Sequence, residues 1–296
     1  MAHKLIWSFF NSIYKIGTPA PLNEKDATSL IMNVLNSNKP CMISRIGSVE
    51  FQALCYEKLN PLLILFKSRT CTHMRDNAGF FPVTNKNLKR FYDVYTSAMK
   101  ELDILVSWRF EEIFFRNEFK NKKIISKETL DDFYCKENPW TQALVGKNIL
   151  VIHPFAQTIE RQYRDHREKL FDNPLVLPKF KSLQTIKAVQ SIARNKVEYE
   201  DWFQALEYMK SEIDKVHFDI AIIGCGAYAF PLAAYVKSLG KKAIGMGGIT
   251  QFLFGIKGKR YEEMEMTRKY INPYFVSPDQ EDRPKQLHLV EGGCYW

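Results

Sequence analysis

Ile220-Ala221-Ile222-Ile223-Gly224-Cys225-Gly226-Ala227-Tyr228-Ala229 decides the fold. Four apolar residues without a charge read as a buried strand, and two glycines one residue apart read as a tight turn. A helix then runs through Leu232, Val236 and Leu239, and another strand covers Ala243 to Met246. The uncharged run from Ile220 to Val236 is shorter than the ~20 residues of a membrane span, and Gly224, Gly226 and Pro231 interrupt it. It is one βαβ unit, and no spanning segment is predicted.

The alternation extends toward the N-terminus. Asn148 to Ile152 reads as a strand ending at His153-Pro154, and Gln157 to Phe171 as an amphipathic helix with Ile159, Tyr163 and Leu170 on one side. A short strand is expected at Leu175 to Leu177, and a helix through Trp202, Leu206, Met209 and Ile213. Earlier still, Asp26 or Thr28 caps a helix with Leu30, Ile31, Val34 and Leu35 on its apolar face. Cys41 to Ser44 is a strand, Gly47 a turn, and Ser48 the N-cap of a helix carrying Phe51, Leu54 and Cys55. Residues 61–82 read as irregular, a helix follows Thr84 through Leu88, Phe91, Tyr95, Met99 and Leu102, and Ile104 to Val106 is a strand. Trp108 to Trp140 has mixed character. Strands and helices alternating through short turns imply an α/β fold, a mostly parallel sheet with helices on both faces. Residues 1–22 form a separate N-terminal segment and 23–296 the main domain, with a candidate sub-boundary near Lys147.

At 296 residues the chain can bury a large core, and 46% hydrophobic with 25% charged residues excludes disordered and fibrous classes. The net charge of +9 suits anionic partners such as nucleotides, phosphates or an acidic membrane surface. No zinc-finger, RNP or basic-zipper pattern accompanies it, so no nucleic acid is expected. Six cysteines without a CxxC pair point to a reducing, cytoplasmic compartment. The N-terminal stretch from Lys4 to Lys15, aromatic and flanked by lysines, reads equally as an interfacial helix at the inner membrane face or as a helix on the protein's own core.

In a parallel sheet, ligands bind at the carboxyl ends of the strands, and three turns there carry polar chemistry. In Ser44-Arg45-Ile46-Gly47-Ser48-Val49-Glu50, Gly47 permits a tight turn onto a helix N-terminus, whose free N–H groups suit phosphate. Arg45 adds a guanidinium for a phosphate or carboxylate. Glu50 either binds a divalent cation or a sugar hydroxyl, or complements the helix dipole with Arg45 as its partner. His153, at a strand end, reads as a proton carrier, a phosphate donor or a structural residue. Gly224 to Ala229 matches the GxGxxG/A dinucleotide pattern, but the following strand ends in Met246-Gly247-Gly248, without the acid that holds a ribose diol. Gly247 to Arg260 combines glycines with Lys257, Lys259 and Arg260, either a basic surface loop or a diphosphate-binding one.

Several motifs together resemble the glycosyltransferases of GT-D fold. They are Arg45-Ile46-Gly47-Ser48-Val49-Glu50, Asn77-Ala78-Gly79-Phe80-Phe81-Pro82, Leu150 to Phe155, Gly224 to Tyr228, Gly247 to Arg260 and Val290 to Trp296. The resemblance reaches from about residue 40 to the end of the sequence and implies a Rossmann-like sheet. It also implies a nucleotide-sugar donor, UDP-linked, and a divalent cation (Mn or Mg) near an Asp-x-Glu motif. Here Ser48 stands where that family has Asp, and a hydroxyl is a weak metal ligand. On this reading Glu50, Arg45 and His153 are catalytic, with Glu50 also the metal ligand. Gly47, Ser48, Asn77, Gly224, Gly226, Tyr228, Gln251, Lys257 and Arg260 hold the donor, and the acceptor is a glycan or lipid-linked hydroxyl. An NAD- or S-adenosylmethionine-dependent enzyme would use the same glycine turn, and Ser48 in place of the Asp leaves a non-catalytic nucleotide-sugar-binding protein as a third reading.

Overall fold

The computed structural model describes residues 20–59 and 67–296. The N-terminal stretch read as an interfacial helix lies outside the described residues. Among the described residues seven strands form one sheet: β1 (Cys41–Ser44), β2 (Ile104–Ser107), β3 (Lys123–Ser126), β4 (Asn148–His153), β5 (Ser182–Lys187), β6 (Ile220–Ile223) and β7 (Lys242–Gly245). Their spatial order is β3-β2-β1-β7-β6-β4-β5, and every pairing is parallel. The fold is α/β and Rossmann-like. Strands from both sides of Lys147 share the sheet, because β7 inserts between β6 and β1.

Side-chain alternation along each strand builds two cores. Met42, Leu105, Leu150, Ile152, Ala221, Ile223 and Ala243 point to one face, where they meet the helices Ser48–Leu59, Asn85–Glu101, Trp202–Asp214 and Ala229–Ser238. Cys41, Ile43, Val106, Ile149, Val151, Ile222 and Ile244 point to the other, against Glu24–Asn36, Ala156–His166 and Ile249–Leu253. With both faces covered, β1, β2 and β6 are buried at every position, which is why they read as continuous apolar runs.

Several local expectations change. Asn23, whose side chain accepts from the Asp26 amide, caps the first helix instead of Asp26 or Thr28. Lys67–Asp76 is helical although it lies in the stretch read as irregular, because its polar sequence shows only Thr70, Met74 and Asp76 to the interior. Leu175–Leu177 is a turn, and the edge strand is β5, which is only partly buried and so lacks an apolar run. The helix after β4 ends at His166, and a 3-10 turn over Arg167–Lys169 follows it. Edge strand β3 falls within the stretch of mixed character.

Candidate functional site

All seven strands run the same way, so their carboxyl ends share one edge. From β4 the chain turns to a helix on one face, and from adjacent β6 to a helix on the other. The two connections part there and leave a crevice, the usual ligand position in such sheets. A cavity of about 500 Å³ opens along this edge. Its walls include Glu50, Arg45, His153, Gly47, Ser48 and Asn77. Gly224, Gly226, Tyr228, Gln251 and Arg260 complete the expected set, and Lys257 alone does not line it. That volume falls within the range of small-molecule sites.

The turn after β1 is organised around Glu50. The Phe51 amide donates to the Gly47 carbonyl at 2.9 Å, so Gly47 takes the cap position and Ser48 is the first helical residue, not the cap. The Glu50 carboxylate folds back over this turn. A Cβ on Gly47 would stand 2.0 Å from Glu50 Oε2, so any other residue there would displace the carboxylate from this position. Burial pushes the Glu50 carboxyl up to about 7, its own backbone N–H partly offsets this, and nearby Glu291 adds to it. A carboxyl poised there exchanges protons at neutral pH.

His153 ends β4 and is buried. The Phe155 amide donates to its Nδ1 at 3.0 Å, which leaves the ring proton on Nε2. Burial holds the imidazole down at about 3. It is therefore a neutral hydrogen-bond donor through Nε2, not a proton carrier near pH 7.

The turn after β6 is held from several sides. A Cβ on Gly224 would meet Thr250 Oγ1 at 2.4 Å. Gly226 sits at φ +57°, yet a Cβ there would meet nothing within 4 Å, so its need is conformational and the space above it is open. The Tyr95 hydroxyl donates to the Ala227 carbonyl at 2.7 Å. Tyr228 stacks on Trp202 at 4.8 Å, and its hydroxyl lies 3.1 Å from Ser191 Oγ. Among the described residues the amides of Cys225, Gly226 and Ala227 donate to no backbone carbonyl.

The cations are placed differently from the sequence reading. Arg45 does not pair with Glu50. Its guanidinium grips Asp131 through two contacts of 2.7 and 2.8 Å and donates to the Met246 carbonyl. Lys257 pairs with Glu262 at 3.0 Å, away from the cavity wall. Arg260 reaches the cavity but is held by Glu291 and by the Tyr295 hydroxyl, the latter at 3.1 Å. Gln251 donates to the Tyr295 carbonyl at 3.1 Å, so it anchors residues 290–296 across the strand ends. The polar surface offered to an anion is then the open amides and His153 Nε2 more than free side-chain charge. Gly247 to Arg260 is also less loop-like than expected, with a helix over Ile249–Leu253 and Phe252 and Phe254 fully buried.

A divalent cation fits this donor set poorly. Ser48 offers only a hydroxyl, Glu50 is turned onto its own N–H, and the other facing carboxylate, Glu291, is occupied by Arg260. Asp131, Trp108 and Glu291 escaped the sequence reading as site residues. The first comes from a stretch without clear periodicity, 86 positions from Arg45. Trp108 follows a legible strand, and a polar or aromatic residue just past a strand end is the signal that could have found it. No protein-family model, curated protein or solved structure matches the chain.

Proposed function

We propose that this chain is a glycosyltransferase of GT-D type, moving a sugar from a nucleoside-diphosphate donor, UDP-linked, to the hydroxyl of a glycan or lipid-linked acceptor. One observation carries the reading. The turns after β1, β4 and β6, far apart in sequence, enclose one cavity that combines a carboxyl near pKa 7 with unpaired backbone amides.

In this reaction the acceptor oxygen forms a bond to the anomeric carbon while the bond from that carbon to the diphosphate breaks. The electron pair leaves on a phosphate oxygen, and the acceptor proton passes to the Glu50 carboxylate. The departing charge is met by the amides of Cys225 and Gly226, by the open end of the Ser48–Leu59 helix and by His153 Nε2. Arg45 acts at one remove, by fixing the β7 and β1 turns against Asp131. Six unbridged cysteines and the +9 charge favour a cytoplasmic setting, with an anionic surface within reach of the acceptor. No helix among the described residues is long and apolar enough to cross a membrane.

Calorimetric titration of UDP into the wild type and Gly226→Asp tests the reading. Aspartate tolerates the backbone conformation of Gly226 and puts a negative charge into the open space above it. Wild-type binding with a loss of about ten-fold or more in the variant is expected, the order of one charged contact. Binding of NAD or S-adenosylmethionine in place of UDP would overturn it.

A further inference from the structure

The turn at the end of β2 is built more firmly than a connection requires. The Glu112 carboxylate, buried, accepts from Ser107 Oγ at 2.6 Å and from the amides of Trp108 and Arg109 at 2.9 and 3.0 Å. Arg109 is held by two contacts to buried Glu111 and stands 5.3 Å from the Trp108 ring centroid. The indole N–H donates to the Ile46 carbonyl at 3.0 Å, which ties the ring to the turn that carries Glu50. Yet Trp108 remains 37% exposed and lines the same cavity. A large aromatic ring fixed at its backbone and at its N–H, but left open on a cavity wall, is a stacking surface prepared in advance of its ligand.

Its place along the sheet edge says which ligand. Reading across, the ends of β4 and β6 carry His153 and the glycine turn, β7 follows, β1 carries Glu50 and β2 carries Trp108. Adjacent strands lie about 4.8 Å apart, so Trp108 sits one strand beyond Glu50, on the side away from the amides that face the diphosphate. A donor lying over β4 and β6 with its reacting carbon at Glu50 leaves the β2 side for the acceptor. We propose that Trp108 is the acceptor platform and that it takes a pyranose ring, whose apolar C–H face stacks on the indole while a hydroxyl faces Glu50. A sugar suits this place better than an acyl chain because charged Arg109 and Lys127 stand beside the ring or line the same wall. The inference rests on the transferase reading for the direction in which the donor lies.

The test uses the full chain, with Trp108→Ala and Trp108→Phe beside the wild type. UDP is titrated by calorimetry, and the methyl pyranosides of glucose, galactose and N-acetylglucosamine by saturation-transfer NMR, with and without UDP. UDP affinity is expected to be equal in all three proteins. Affinity for the preferred pyranoside is expected to fall about ten-fold in Trp108→Ala and only about two- to three-fold in Trp108→Phe, which keeps a ring. Unchanged pyranoside affinity in Trp108→Ala overturns the platform, as does the absence of pyranoside binding to the wild type. Weakened UDP binding in Trp108→Ala also overturns it, since the ring would then stack on the nucleobase. If UDP fails to bind the wild type while pyranosides still depend on Trp108, the platform stands and the transferase reading falls.

Discussion

Replacing Glu50 with glutamine separates the two consequences of its burial. The folded protein holds the Glu50 proton up to about 7, whereas the ordinary value is 4.5. Between those values the folded state keeps a proton that the unfolded chain has released. Stability is therefore fully present below about pH 4.5, is lost as the pH rises to about 7, and is level above that as far as this group is concerned. At about 1.36 kcal/mol per pH unit the accumulated cost is of the order of 3 kcal/mol. Glutamine keeps an oxygen for the Glu50 backbone N–H and nearly the same volume, but it never ionises. Urea denaturation of the wild type and Glu50→Gln at pH 5, 6, 7 and 8 measures the difference. The variant should match the wild type near pH 5, within about 1 kcal/mol, and exceed it by about 2–3 kcal/mol at pH 8. Sugar transfer should be lost in the variant at every pH. A stability difference that does not grow with pH would refute the argument that burial, not a local hydrogen bond, sets this carboxyl.

Three further outcomes follow from the same geometry. Glu291→Gln removes a negative charge that raises Glu50, so the acid limb of the pH–rate profile should move to lower pH, and an unmoved limb would separate the two carboxyls. His153, held at about 3 by burial, should show no ring protonation between pH 5 and 8 in nitrogen-15 NMR and a proton resident on Nε2. Because its ordinary value is 6.5, it costs stability as the pH falls from 6.5 toward 3, opposite in direction to Glu50, and titration inside pH 5–8 would contradict its burial. Asp76 accepts Arg194 at 2.8 and 3.0 Å and its carbonyl takes the Ala193 amide at 2.8 Å, which holds two successive residues at φ 53° and 56°. Such backbone costs of order 1–3 kcal/mol per residue, so Asp76→Ala should release the segment that follows the 189–192 wall of the cavity. Limited proteolysis at Arg194 should then speed up, and an unchanged rate would count against the clamp.

Local chemistry was enough to read most of the frame. β1 and β6 are apolar at nearly every position because both sheet faces are covered, and the glycines of the turns after β1 and β6 mark where the backbone must bend or where a side chain has no room. The three-to-four spacing of Leu88, Phe91, Tyr95 and Met99 after Thr84 marks the longest helix among the described residues. Edge strands β3 and β5 were less legible, since a strand with one open side carries Lys, Ser and Gln in place of an apolar run.

The sequence by itself determined the α/β alternation and the polar residues at the strand ends, because helix and strand periods and glycine turns depend on neighbours within a few positions. Which side chain meets which was decided only by the tertiary structure. Arg45 is 86 positions from Asp131 and Arg260 is 31 from Glu291, and those pairings turn the expected cations into braces. The proton affinity of Glu50 is likewise a property of the packed cavity, since desolvation acts through whatever surrounds a charge and is unrelated to distance along the chain. Trp108 reaches the site for the same reason: parallel pairing sets the end of β2 beside the end of β1, though about sixty residues separate them.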